Sequence, residues 1–214
     1  WGGTPVNDNE WHHVAGVFNG FDESDQVNLY VDGLLDGAEA VRNGYGYIET
    51  NAYNVYIGAN SEQPGRSWNG LIDDVYLYNT PWSAVEIRDY VDRGSLPEAE
   101  PVAWWKLDDQ AGIIVVDSSG SAQDGTLAAG ASPQWELGPI GGALRFNGAG
   151  NYVNCGNDPV FDLTEAMSVS AWINITSVPA DWTGILTKGD DAWRLSTSLG
   201  STRMHFAVAG PPDY

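Results

Sequence analysis

The chain has 214 residues, of which 43% are hydrophobic and 18% charged, a composition that fits one or two folded domains and excludes a disordered chain. Nine basic residues against 29 acidic ones give a formal net charge of −20, which repels nucleic-acid phosphates and anionic membranes and attracts divalent cations. A single cysteine, Cys155, excludes an intrachain disulfide framework, and the absence of a run of about 20 apolar residues argues against membrane insertion.

Short segments that alternate apolar and polar residues predict β-strands in the first part of the chain. They cover residues 11–18, 27–32, 53–58 and 71–78, with Gly, Asn, Asp and Pro between them. The Asp32-Gly33 pair at the end of the second segment predicts a hairpin, because this dipeptide adopts the positive φ values of a tight β-turn.

One helix is predicted after these strands. Ser83 and Glu86 have the spacing of a capping box with Ser83 as the N-cap, and Gly94 is a stop signal. The apolar stripe between them consists of Ile87, Tyr90 and Val91. Residues 92–101 (DRGSLPEAEP) then contain two prolines and almost nothing to bury, which indicates a linker.

Further strands are predicted after the linker, at residues 102–107, 143–147, 152–155, 167–175, 184–188 and 203–208. The alternation is clearest in residues 167–175, whose apolar face consists of Met167, Val169, Ala171, Ile173 and Ile175. Many short strands separated by turns predict an all-β fold, an antiparallel sandwich of two sheets with one short helix.

Several motifs carry a family resemblance. The motifs DNEWHHVAGVFNG, VNLYVDGLLDG, VYIGAN and WNGLIDDVYLYNTPWSAVEI resemble the second half of a laminin-G-like jelly roll of the concanavalin-A-like superfamily. The motifs VAWWKLDDQAG, VVDSSGSAQDGTL, GGALRFNGAGNYVNCG and MSVSAWI resemble its first half. The resemblance therefore divides the chain into residues 1–91, the linker 92–101, and residues 102–214, with the second half of the jelly roll first.

Two interpretations account for this order. The chain is either cut from a tandem array of sister domains, or its two parts close into one circularly permuted sandwich. A lone half-sandwich would expose an apolar face and unpaired edges, which favours closure. Closure predicts that residues 102–107 pair with residues 71–78 and that Trp1 lies near Tyr214.

The resemblance also implies a structural Ca²⁺ where the first and last strands lie together, with Asp73 and Asp108 near it. Asp117 and Asp124, which flank the loop DSSGSAQD, are weaker candidates. Carboxylates suit Ca²⁺, and Asp73 is expected on a buried face of its strand with Leu71, Val75 and Leu77. The alternative is that these acids are turn residues that bond to their own backbone.

The sequence offers no catalytic residue. His12 and His13 are adjacent on a strand and point to opposite faces, so they cannot easily share a metal. The three-carboxylate strand pattern Glu-x-Asp-x-Glu of jelly-roll glucanases is missing, as is a Gly-x-Ser-x-Gly nucleophile motif. Glycoside hydrolysis is therefore the least favoured function, and we expect the chain not to be an enzyme.

Aromatic residues in polar loops are the remaining functional signal, because sugar sites combine flat aromatic rings with polar groups. The carbohydrate-binding candidates are Trp182, Tyr45, Tyr47 and Trp193, each with core or loop packing as the alternative. The leading hypothesis is a non-catalytic carbohydrate-binding or adhesion module of an extracellular or cell-surface multidomain protein, with carbohydrate or a glycosylated protein as partner. The alternative is a structural spacer or protein-contact repeat without a sugar site.

Overall fold

The computed structural model describes residues 1–21, 26–40, 47–128, 134–177, 181–198 and 201–209. These residues form strands β1 to β15, helix α1 and one short 3-10 turn, Pro159–Phe161. Their bounds are β1 His12–Asn19, β2 Gln26–Val31, β3 Leu34–Ala40, β4 Tyr56–Ile57, β5 Asn69–Tyr78, α1 Ala84–Arg93, β6 Ala103–Trp105, β7 Ile114–Val115, β8 Gly125–Leu127, β9 Gln134–Leu137, β10 Gly142–Asn147, β11 Val153–Asn154, β12 Ala166–Ile175, β13 Gly184–Thr187, β14 Trp193–Thr197 and β15 Met204–Val208.

The strands form two antiparallel sheets, as the alternation predicts. The first sheet has the order β3-β2-β1-β12-β5-β10-β9, with β6 also paired to β5. The second sheet has the order β15-β14-β13-β4-β11-β8-β7. The predicted all-β two-sheet sandwich with one helix is therefore confirmed.

Strands from both sides of the linker pair with each other in both sheets. In the first sheet β6 pairs with β5, Ala103 opposite Leu77 and Trp105 opposite Val75, as closure of the two parts predicts. In the second sheet β4 lies between β13 and β11. The permuted origin of this order stays a prediction. Tyr214 lies outside the described residues, and near the other end of the chain the Gly2 amide donates to the Met204 carbonyl at 2.9 Å.

Local signals in the sequence correspond to the observed turns and helix ends. Asp32 and Gly33 both have positive φ, 50° and 77°, and join β2 to β3 as a tight hairpin. Ser83 caps α1 with the full capping box, and Gly94 ends it in the left-handed conformation at φ 68°. These elements depend on interactions within a few residues, which is why the sequence predicts them well.

Two apolar clusters hold the elements together. The main core lies between the sheets and includes Trp68, Trp105, Trp193 and Phe146 among its largest side chains. A second cluster lies where α1 covers the outer side of the first sheet. It consists of Ala15, Val17, Tyr30, Tyr76, Tyr78, Trp82, Ile87 and Tyr90. Because both sides of the first sheet are covered, Ser168 and Ser170 of β12 are buried although they lie on the predicted polar face.

A bulge in β5 changes one sequence prediction. Pairing between β5 and β12 shifts between Ser170 and Trp172, and Asp74 has a φ of 50°. Before the bulge the core residue is Ile72, and after it the core residues are Val75 and Leu77. The prediction that Asp73 shares a face with Val75 and Leu77 is therefore wrong, because the extra residue breaks the two-residue alternation.

Candidate functional site

The outer face of the second sheet carries a row of residues across all seven strands that is mostly polar. The strand registers place in one line Ala207, Arg194, Thr187, Tyr56, Asn154, Thr126 and Ile114. Their strand neighbours Leu195, Leu186, Ile57 and Val153 belong to the main core. Since successive side chains of a strand point to opposite faces, this row faces away from the core.

A buried residue, Thr187, divides this outer row into two parts. Its Oγ1 donates to the Ala59 carbonyl at 3.0 Å. On one side lie Tyr56, Asn154 and Thr126, which are all partly or fully exposed. On the other side lie Arg194 and Ala207.

A stacked pair of tyrosines stands on the first part of the row. The rings of Tyr56 and Tyr152 have centroids 4.2 Å apart and an interplanar angle of 17°. Burial, together with a hydrogen bond to Tyr152, raises the pKa of Tyr56 to about 12. Flat aromatic rings beside Asn154 and Thr126 combine the apolar and hydrogen-bonding surfaces that a sugar ring requires.

The Trp182 cluster lies against the second part of the row. We define it as Trp182, Trp1, His205 and Arg194. The Trp182 ring contacts those of Trp1 and His205 edge-on, with centroids 5.2 Å and 4.9 Å away, and the Arg194 guanidinium lies 5.1 Å from its centroid. Trp182 is partly exposed and Trp1 is 53% exposed, so the cluster presents aromatic surface to the solvent.

Charge at this end of the row is balanced around one carboxylate. Asp190 accepts hydrogen bonds from Asn60 at 2.8 Å, Arg66 at 2.6 Å and Arg194 at 2.7 Å. Burial alone would raise the pKa of Asp190, but the charge of Arg194 and these hydrogen bonds outweigh it and lower that pKa. Two of the nine basic residues of the chain therefore converge here, which makes this end less acidic than the chain as a whole.

The other predicted sugar-binding residues are placed differently. Trp193 is 1% exposed, lies in the main core and donates from Nε1 to the Phe161 carbonyl, so its ring is not available to a ligand. For Trp193 the packing alternative is the correct one. Tyr47 is 42% exposed, and Tyr45 lies outside the described residues.

Asp73 and Asp108 meet at the turn between β9 and β10. Asp73 Oδ2 accepts from the Ile140 amide at 3.1 Å, and Asp108 Oδ1 accepts from the Gly142 amide. A Cβ at Gly138 would clash with Asp73 Oδ2 and lie 2.6 Å from the Gly142 carbonyl oxygen, so these two oxygens converge on one point. The turn needs glycine there because the carboxylate and carbonyl approach the backbone so closely.

Burial and neighbouring negative charge disfavour the ionised form of Asp73. Asp73 is fully buried, and its Oδ1 has no hydrogen-bond partner among the described residues. Burial, with the negative charges of Asp74 and Asp108, raises the pKa of Asp73 to about 8. In the described part of the chain no three His, Cys, Asp or Glu side chains converge, so any ion here would be held by two carboxylates and backbone carbonyl oxygens, which Ca²⁺ accepts.

Asp117 and Asp124 have other roles in the described structure. Asp117 accepts from the backbone amides of Trp104, Ser119 and Gln123 at 2.9 Å each, which is the turn role considered from the sequence. Asp124 is exposed and accepts from the Asp117 amide at 2.8 Å. The structure therefore brings Asp73 and Asp108 together, gives Asp117 and Asp124 hydrogen bonds within their own loop, and ties Asp117 to the Trp104 amide of β6.

Sequence reasoning missed Tyr56, Tyr152 and Arg194 as site residues. Each lies in or beside a short strand, where alternation gives no information on which neighbour stands across the sheet. The polar positions of VYIGAN and NYVNCG were a usable signal, because outward polar residues in sandwich strands line up only when the register is known.

Residues 1–88 match a family model described as the concanavalin A-like lectin/glucanases superfamily. Comparison with curated proteins and comparison with solved structures found no match. The matched residues contain β1 to β5 and the beginning of α1, and the strands that follow complete the same two sheets. No helix in the described part of the chain has the length and apolar character needed to cross a membrane.

Proposed function

We propose that this chain, whose residues 1–88 match a model of the concanavalin A-like lectin/glucanases superfamily, is a non-catalytic carbohydrate-recognition module. Its partner would be a polysaccharide or a glycosylated protein. Its setting would be an extracellular or cell-surface protein with further domains, in which the module serves adhesion or targeting.

The stacked tyrosine pair on the outer row carries this proposal. Tyr56 and Tyr152 offer aromatic surface, and Asn154 and Thr126 offer hydrogen-bonding groups on adjacent strands. The Trp182 cluster extends the aromatic surface at the other end of the same face. A spacer repeat has no need for aromatic surface combined with hydrogen-bonding groups, so this composition supports recognition of sugar.

The acids near the outer row do not support hydrolysis. The row itself contains no carboxylate among the positions that the strand registers align. Asp190, which lies beside it, is held by two arginines that lower its pKa, whereas a glycosidase acid needs a raised pKa and a second carboxylate opposite it. These observations favour binding without catalysis.

Single substitutions on the two parts of the face should reduce retention on the polysaccharide that the protein binds. A screen by affinity gel electrophoresis identifies that polysaccharide. Tyr152→Ala or Trp182→Ala is then expected to weaken binding about 5- to 100-fold, if a sugar ring on an aromatic side chain contributes as much as a stacked nucleic-acid base does, about 1–3 kcal/mol. Phe21→Ala is the matched control, since Phe21 is 71% exposed and follows β1 of the first sheet.

Retention of the Tyr152 and Trp182 variants at wild-type strength would contradict a site on this face. A loss seen with only one of them would locate the site at that end of the row. Failure of the folded wild-type protein to bind any polysaccharide would favour the protein-contact alternative. That alternative is supported by exposed apolar side chains on and beside the edge strand β7, namely Ile113, Ile114 and Val116.

We also propose that Asp73 and Asp108 bind a structural Ca²⁺, with backbone carbonyl oxygens as further ligands. The donor set fits because Asp73 Oδ1 is a buried acceptor with no hydrogen-bond partner in the part of the chain that the structure describes, and a divalent cation would compensate two neighbouring carboxylates. Its contribution would be to stability of the turn between β9 and β10.

Removal of Ca²⁺ should therefore lower the melting temperature. A ligand present at a hundredfold excess over its Kd stabilises the native state by about 2.7 kcal/mol, which corresponds to several degrees in a chain of this size. Calorimetry in Ca²⁺ and in EDTA measures the difference. Asp108→Asn should abolish this difference in melting temperature, whereas Asp124→Asn should preserve it. An equal melting temperature for the wild type in both buffers would contradict the proposed Ca²⁺ site.

A further inference from the structure

A small cleft lies on a different side of the molecule, between the linker and the first sheet. Its volume is about 220 Å³, and its walls come from linker residues 96–101, from Tyr78 and Trp104, and from Ser118 and Ser119. The linker therefore forms part of a pocket, although its sequence contains little to bury.

One residue that lines the cleft, Tyr78, has a buried hydroxyl without a hydrogen-bond partner in the described part of the chain. Tyr78 is 1% exposed. A buried hydroxyl that forms no hydrogen bond costs about 1–3 kcal/mol, so a ligand that bonds to it recovers part of that cost. Burial, together with the negative charges of Glu100 and Asp74, raises the pKa of Tyr78 to about 12.

The charge of the cleft is negative. Glu98 and Glu100 both line it, and none of its lining residues is Lys, Arg or His. Lys106, which directly follows β6, has its Nζ 4.2 Å from the centre of the Trp104 ring and is not part of the lining. The hydroxyl of Ser119 already donates to Asp117 Oδ2 at 2.8 Å. The cleft therefore offers hydrogen-bond acceptors and negative charge that nothing within it compensates.

The remaining walls are apolar. Leu96, Pro97 and Pro101 line the cleft beside the two glutamates. Trp104 forms another wall of the cleft and is held in place by two contacts. Its ring stacks on Tyr76 with centroids 5.1 Å apart, and its Nε1 donates to Asp74 at 2.6 Å. Apolar walls that end in carboxylates and a hydroxyl match a short aliphatic chain that ends in a positive charge.

We infer that this cleft binds an alkylammonium group, of the kind that a free aliphatic amine or a lysine side chain presents. The ammonium group donates to the Tyr78 hydroxyl and to the carboxylates of Glu98 and Glu100, and the alkyl stem lies against the prolines and Leu96. This site is separate from the proposed sugar-binding face, so either can be present without the other.

Titrations monitored by two-dimensional amide NMR test the inference. The two charged probes are n-butylammonium chloride, which represents a free amine, and Nα-acetyl-lysine N-methylamide, whose free ε-ammonium group represents a lysine side chain. Their neutral counterparts are n-butanol and acetyl-norleucine-methylamide. We expect both charged probes to shift the amide signals of Ala99, Ser118 and Ser119, the tighter one to identify the source of the group, and high salt to weaken both.

Three variants decide which groups hold the probe. Glu98→Gln combined with Glu100→Gln should raise the Kd at least about fivefold, since each partly exposed ion pair contributes a small but measurable share. Tyr78→Phe should raise it about threefold. Glu165→Gln, an exposed site outside the cleft, should leave the Kd unchanged.

Equal shifts from the charged and the neutral probes would overturn the inference, as would no shift from either charged probe. An unchanged Kd in the Glu98 and Glu100 double variant would do the same. Both residues are exposed, so this variant is expected to keep the fold even if Tyr78→Phe does not.

Discussion

Trp105→Ala should destabilise the protein by about 3–5 kcal/mol, because it leaves a large cavity in a core to which both parts of the chain contribute. Trp105 is fully buried on β6, pairs with Val75 of β5 and donates from Nε1 to the Gln123 carbonyl at 2.8 Å. For a chain of this length the expected fall in melting temperature is about 10 °C. Calorimetry and chemical denaturation measure it.

The shape of the transition is as informative as its midpoint. If residues on both sides of the linker share one core, the wild type and the variant each unfold in a single transition, and the whole transition moves. Trp182→Ala is the matched control, since it removes the same side chain from a partly exposed position and should cost much less. Two separate transitions, of which Trp105→Ala lowers only one, would contradict the shared core.

The sequence predicted those parts of the fold that depend on neighbours along the chain. β12 follows from strict alternation over residues 167–175, and α1 follows from Ser83, Glu86 and Gly94, which interact within the helix itself. The pairing of β6 with β5 was predicted from the resemblance to a sandwich whose opening and closing strands are neighbours.

The alternation of apolar and polar residues could not predict the shortest strands or the irregular strand pairing. β7 and β11 have two residues each, too few to show alternation, and β14 begins directly after a loop. The bulge at Asp74 could not be read from residues 71–78, because it is defined by the partner strand. For this reason Asp73 was assigned to the wrong face, although its burial next to other carboxylates was anticipated.

The candidate site was likewise predicted only in part from the sequence. That aromatic residues would matter was predictable, but which of them face outward depends on the sheet register. Trp182 and Trp193 are eleven positions apart in similar polar surroundings, and only the structure separates a partly exposed ring from a core ring. The stacking of Tyr56 on Tyr152 joins strands that are far apart in the chain, so no local pattern could reveal it.

Two adjacent histidines should give the stability of this protein opposite pH dependences. His13 is fully buried, packs edge-on against Tyr90 and Trp172, and has no hydrogen-bond partner for either ring nitrogen among the described residues. Burial lowers its pKa to about 3. Protonated His12 donates from Nδ1 to Asp32 at 2.8 Å and from Nε2 to Asp8 at 3.0 Å; desolvation opposes protonation, but the two acids outweigh it and the pKa of His12 is raised.

The direction in which the free energy of unfolding changes with pH depends on how many protons the folded and unfolded states bind. For His13 the unfolded state takes up a proton near pH 6.5 and the folded state only near pH 3, so acidification between these values destabilises the native protein by about 1.4 kcal/mol per pH unit. His13→Phe should therefore be near neutral or stabilising at pH 7.5, since it removes two unpartnered nitrogens and keeps a ring. At pH 4.5 its free energy of unfolding should exceed that of the wild type by about 2–3 kcal/mol.

His12→Gln should show the opposite pH dependence. Its loss of stability is largest at low pH, where the imidazolium pairs with both acids, and disappears as pH rises through the raised pKa of His12. Urea unfolding of the wild type and both variants from pH 4.5 to 7.5 measures the two differences, and a His13→Phe advantage that stays constant over this range would contradict the buried neutral state of His13.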